Sequence, residues 1–272
     1  MATLLGTKIK DTYEGLLKLI DNAGLTATNK SVTDGTGAET GLKLGTGDTV
    51  EVTKRVSQTG LGQSTFFGEN AGLNDNGVGS VSVAVGRRAL ESNVSAYNNV
   101  AVGRESLMNC VNSDNTGVGA RALMNATTGT SNTAVGRFAL DGLTTGNNNI
   151  GIGNIALDGV TTGSQNVSVG DYSLRNSSKN FNTAIGTDAG AGGYNFANGT
   201  FLGWRAGLGA SGNNQTVIGS GAVGNGTNTV TLGDTNVTEL HLAKAGASIA
   251  LRSPNGTVFK LSVSDAGALV IT

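Results

Sequence analysis

A β-branched residue, a residue that is usually small, a large apolar residue and then glycine recur along this chain at a nearly constant interval. Few folds are open to such a sequence. The copies read TFFG, VAVG, VAVG, TGVG, TAVG, IGIG, VSVG, TAIG, TFLG, TVIG and VTLG. Their closing glycines are Gly68, Gly86, Gly103, Gly119, Gly136, Gly153, Gly170, Gly186, Gly203, Gly219 and Gly233. The intervals are 18, 17, 16, 17, 17, 17, 16, 17, 16 and 14 residues. A period near 17 residues is too short for a globular domain and suits one coil of a solenoid, in which each repeat buries apolar side chains only against its neighbours.

Counted back from each anchoring glycine, the first residue is always large and apolar and the third is always β-branched, as in Val83 and Val85 or Ile150 and Ile152. These two positions share one face of a short strand. The residue between them, on the opposite face, is small in seven of eleven copies: Ala84, Ala101, Gly117, Ala134, Gly151, Ser168 and Ala184. Three and four residues after the glycine stands a second pair, such as Ala89 and Leu90 or Ala139 and Leu140. If this pair is also extended, its two side chains point to opposite faces. A coil this thin cannot cover two apolar faces by itself, so another chain must cover one.

The expected fold class is therefore all-β: a trimeric parallel β-solenoid or β-roll of about 17-residue turns, formed as a homotrimer, with small N-terminal and C-terminal capping segments. A monomeric solenoid is the alternative. Whether the small or the bulky positions point into the coil stays open at this stage. Ten intervals at one strand spacing of about 4.8 Å predict a rod of roughly 50 Å.

Glycine makes up 44 of 272 residues while proline occurs once, which excludes collagen and proline-rich linkers. The anchoring glycine is expected at a corner that needs positive φ, or where backbones pass too closely for a Cβ. A second corner carries Thr-Thr-Gly at 127–129, 144–146 and 161–163. Asparagine stands four residues before the next anchor at Asn99, Asn115, Asn132, Asn149, Asn166 and Asn182. Amides at equal heights in successive coils can form hydrogen-bonded ladders.

Three segments follow from these patterns: 1–58, 59–236 and 237–272. In the first, Ile9, Tyr13, Leu16, Leu17 and Ile20 have the spacing of an amphipathic helix, while Gly15 and a Thr-Asp-Gly turn at 33–35 favour short strands. In the last, Ser253-Pro254-Asn255-Gly256 and Asp265-Ala266-Gly267 separate three short apolar runs, as in hairpins.

Charge is sparse and the net charge is −1, without the basic balance of a nucleic-acid binder. No 18-residue apolar run occurs, so no membrane insertion is expected. Single Cys110 and single His241 leave little material for a metal centre or general base catalysis. His241, in TELHLAK, would be repeated around a trimer axis and is the one candidate for holding a metal or anion. Its plain alternative is a surface or interface histidine. Gly117-Val118-Gly119 and Gly151-Ile152-Gly153 look like dinucleotide-loop fragments but are products of the repeat. No cofactor and no catalytic residue is expected.

The aromatic residues Tyr194, Phe196, Phe201 and Trp204 cluster where the repeat's small position becomes large. Tyr194, Phe196 and Trp204 are candidates for a surface contact with carbohydrate or protein. The alternative is a plug in a widened core.

With NTAVG, NIGIG and NVSVG units and Ala-Leu just beyond each glycine, the chain resembles the β-roll heads of trimeric autotransporter adhesins and the bacteriophage tail fibres that carry similar repeats. The segments TKIKDTYEGLLKLIDNAG and SIALRSPNGTVFKLSVSDAGALVIT also resemble the opening and closing parts of tail fibre proteins. The adhesin likeness implies a signal peptide, a coiled-coil stalk and a membrane barrel, none of which is visible in the sequence. The tail fibre likeness implies a non-enzymatic, virion-located homotrimer that attaches the virion to a host surface glycan or protein receptor. Segment 1–58 would then dock on other virion tail or baseplate proteins. Some phage tailspikes degrade polysaccharide with paired carboxylates, and Glu91 with Glu105 is the nearest such pair here.

Overall fold

The computed structural model describes residues 64–76, 80–176, 179–192, 196–207, 212–240, 249–254, 257–263 and 269–271. Segment 1–58, Tyr194 and His241 lie outside the described residues. Eleven three-residue strands, β1 (Thr65–Phe67) through β11 (Val230–Leu232), form one parallel sheet in strict chain order. No helix occurs among the described residues.

Pairing is in register throughout: Val83 stands beside Val100, Val100 beside Thr116, and Thr133 beside Ile150. Equivalent positions of successive coils are thus stacked in columns, and the chain is a parallel β-solenoid with a period of about 17 residues.

The small positions point inward. Ala84, Ala101, Ala134 and Ala184 are fully buried, as are Leu90, Leu107, Leu123, Leu140, Leu157 and Leu174 after the anchors. The two columns press on each other: a Cβ added to Gly151 would stand 3.1 Å from Leu140 Cγ. The bulky strand positions point outward.

The Ala-Leu pair departs from expectation, because it lies in a turn and not in a strand. Arg88 and Leu90 have φ of 60° and 51°, and the same pattern repeats at Arg121 and Leu123 or Phe138 and Leu140. The left-handed residues turn both members of the pair inward, so the pair covers one interior and does not define a second apolar face. Such a conformation costs about 1–2 kcal/mol per residue, and bonds between coils offset it. The Arg88 N–H donates back to Glu69 O at 2.8 Å, and the Leu90 N–H donates forward to Ser106 O at 3.1 Å.

Both reasons for the anchoring glycine hold together. From Gly68 to Gly219 the anchors have φ between 128° and 134°, and a methyl group on Gly103 would stand 2.5 Å from the Gly119 carbonyl oxygen. The stacked columns leave no room there for a Cβ.

The asparagine column forms the expected ladder, entirely inside the protein. The Asn132 N–H donates to Asn115 Oδ1 at 3.0 Å, and the Asn149 N–H to Asn132 Oδ1 at 2.9 Å. Asn149 Nδ2 donates to Asn132 Oδ1 at 3.0 Å and to the Gly163 carbonyl at 2.8 Å. Ser82 and Ser64 continue the column at one end, and the Gly199 N–H closes it on Asn182 Oδ1 at the other. Asparagine suits the place because its amide supplies an acceptor and two donors to a buried backbone corner.

Coils of 16 and 17 residues share this ladder. The carbonyl that accepts from the asparagine lies three residues before the next ladder residue in both kinds: Asn112 before Asn115, Gly129 before Asn132, Gly146 before Asn149. Cys110, Ala126, Leu143 and Val160, seven residues after their anchors, are fully buried in both kinds. In the 16-residue coil from Gly103 to Gly119 the missing residue therefore falls at the exposed corner where the 17-residue coils carry Thr-Thr-Gly.

Around β9 (Thr200–Leu202) the filling changes. Phe201 occupies the small position and packs on Phe196, with ring centroids 4.6 Å apart. Glycines replace leucine at Gly190 and Gly207 and asparagine at Gly199, and a Cβ at any of them would meet the Phe201 ring. The same exchange appears at Phe66 and Gly72. Phe196 is thus a core residue: for this ring the surface-contact reading is corrected and the alternative, a plug in a widened core, holds, because the space left by the glycines draws the ring inward.

After the solenoid, β12 (Ile249–Arg252), β13 (Val258–Val263) and β14 (Leu269–Ile271) form an antiparallel three-stranded sheet, as the turn residues predicted.

Candidate functional site

Two surfaces of the solenoid differ from the remainder. The first is the outer face of the eleven-stranded sheet. Its two columns, one and three residues before each anchor, contain only Thr, Val, Ile, Leu and Phe, with no charged residue. These side chains are left open: Val135 is 37 % exposed, Ile152 39 % and Leu202 43 %. Isolated apolar residues on a surface need no explanation, but a continuous stripe about 50 Å long does.

The second is the edge just after the anchors, where most of the solenoid's charged residues gather. Arg87, Arg88, Arg104, Arg121 and Arg137 occupy the first two positions after four successive anchors. Glu105 Oε1 accepts from Arg87 Nη2 at 2.9 Å and from Arg104 Nη1 at 3.1 Å. Arg88 Nε donates to Glu91 Oε2 at 2.7 Å, and Arg121 Nη2 to Asp141 Oδ2 at 3.0 Å. Glu91 and Glu105, the nearest approach to a carboxylate pair in the sequence, are each tied to arginine.

Farther along the edge the balance becomes acidic. Burial pushes the Asp141 carboxyl up to about 6, opposed by Arg121 and reinforced by the charges of Asp158 and Glu105. Burial likewise raises Asp158, against Arg121 and Arg175. Asp141 Oδ1 is buried without a hydrogen-bond partner.

Every described cation–π contact lies on this edge. Arg121 and Arg137 lie over the Phe138 ring at 4.7 and 4.1 Å, Arg175 over Tyr172 at 5.2 Å and Arg205 over Trp204 at 5.2 Å. Trp204 is exposed, so of the three surface-contact candidates it stands in the open, Phe196 is interior and Tyr194 is outside the described residues. Cys110 is buried in the column that contains Ala126 and Leu143, and burial pushes its thiol up. Among the described residues no group of three or more His, Cys, Asp or Glu could hold a metal, and no helix is long and apolar enough to cross a membrane.

The arginine strip escaped sequence reasoning, although aligning the residues that follow each anchor would have revealed it. Comparison with protein-family models, with curated proteins and with solved structures finds no match to this chain.

Proposed function

We propose that residues 59–236 are the shaft of a non-enzymatic attachment fibre, a phage tail fibre or receptor-binding protein that acts as a homotrimer in the virion and contacts a host surface glycan or protein receptor. Segment 1–58 joins it to other tail or baseplate proteins, and 237–272 forms its C-terminal cap or tip. The single observation that carries this reading is the uncharged outer face, built of Val, Ile, Leu and Phe with threonine interleaved. Burying apolar surface is worth about 25 cal/mol per Å², and a stripe repeated over eleven strands places that gain along the whole rod. Charge depletion at the centre of a surface patch is what a permanent interface requires. Two further copies of the same face are natural partners, since equal coil heights bring like columns together.

Sedimentation of the full chain tests the proposal. A mass about three times the 27.2 kDa of one chain is expected. Val135→Asp with Ile152→Asp should release folded monomers, because both side chains already face outward in the single chain. A monomeric parent chain would overturn the reading.

A further inference from the structure

We infer that the strip formed by Arg87, Arg88, Arg104, Arg121 and Arg137 binds a carboxylate-bearing polysaccharide, which rests on the attachment reading and narrows its receptor to one chemical class. Four coils at about 4.8 Å each give the strip a length of about 14 Å between its first and last anchors. Its acidic partners lie beneath it. The side chains of Glu91, Glu105 and Asp141 are 12–15 % exposed, whereas those of Arg87, Arg88, Arg104 and Arg121 are 32–52 % exposed. A ligand arriving from water meets guanidinium first. The submerged acids hold the forks in place, with Asp158 acting on Arg121 as well.

Arg137 has no carboxylate partner among the described residues and lies at 4.1 Å over Phe138. The stacking orients its fork with donors unspent. The strip contains arginine and no lysine, and the guanidinium is the side chain whose planar fork matches a carboxylate with two parallel bonds. Nucleic acid fits less well. The one ring in the strip already carries two guanidiniums, leaving little platform for stacked bases.

The test is biolayer interferometry of the full chain on immobilised polygalacturonate, with dextran as the neutral control and dextran sulfate and single-stranded DNA as polyanions without carboxylates. Binding to polygalacturonate is expected to weaken between about 50 and about 300 mM salt, and dextran should not bind. Arg104→Glu with Arg137→Glu should reduce affinity about tenfold or more, with unchanged circular dichroism. Arg205→Glu, on the same edge outside the strip, should leave it unchanged. Equal binding to dextran, binding to dextran sulfate or DNA as tight as to polygalacturonate, or an unaffected double variant would each overturn the inference. Mass is measured in the same samples. A trimer that fails to bind defeats the strip alone, whereas a monomer defeats the shaft.

Discussion

Between Asn99 and Asn182 the core repeats itself: a small residue on the strand, a leucine after every anchor, an asparagine at the far corner. Around Phe201 all three features are replaced, yet the interior is equally closed. What the solenoid conserves is therefore volume within a fixed backbone outline. Interiors pack close to crystal density, so a phenylalanine at the small position is admitted only where Gly190, Gly199 and Gly207 make way for its ring.

The largest effects should come from what both regions share. Gly103→Ala and Gly203→Ala, at φ of 132° and 128°, combine left-handed strain with a clash against the next coil's backbone, and each should cost about 4 kcal/mol or more. Gly226→Ala, at φ 99° with open space around it, should cost far less. Chemical denaturation followed by circular dichroism compares them, and equal losses at all three sites would show that stacking adds nothing to the strain.

Next come the changes that separate the regions. Phe201→Ala should cost about 3–5 kcal/mol by leaving a cavity, and adding Gly207→Leu should restore a large part. In the uniform region, Ala134→Phe should prevent folding at 37 °C alone and be partly rescued by Leu140→Gly. Additive double variants would break the idea of a shared volume. Asn149→Ala, which removes both ends of a ladder rung, should cost about 2–3 kcal/mol, more than Asn182→Ala, whose Oδ1 accepts only from Gly199 N–H in the next coil.

The smallest effect concerns Asp141. Its raised carboxyl means that the folded chain holds this proton more tightly than the unfolded chain, so the group's contribution to stability is greatest on the acid side and declines as pH rises from about 4 through about 6. Asp141→Asn should flatten that decline in melting curves recorded across the window. A parent chain gaining stability over the same range would show that the Arg121 pair outweighs burial.

Much of this architecture was legible in the sequence, because a repeat displays its own constraints. The anchoring glycines, the three-residue strands, the asparagine ladder and the C-terminal hairpins all follow from local stereochemistry repeated in register. Leu90 was misjudged because no propensity predicts leucine with positive φ. Only the bonds to the coils above and below select it. Phe196 left two readings open, surface contact or core plug, and the information deciding for the plug lay in glycines up to eleven residues away in sequence. Which strand face turns inward needed the leucine column in place first.

The placement of the missing residue in the short coil from Gly103 to Gly119 has a consequence for how such a rod changes length. Columns stay aligned only if every strand, anchor and ladder residue keeps its height, so slack is confined to the threonine corner. Duplicating or excising one complete coil preserves every column and alters the rod by a single step of about 4.8 Å. Losing one residue within a strand shifts its side chains to the wrong face and breaks the columns on both sides. Reach is thus adjustable only in whole increments, like the links of a chain.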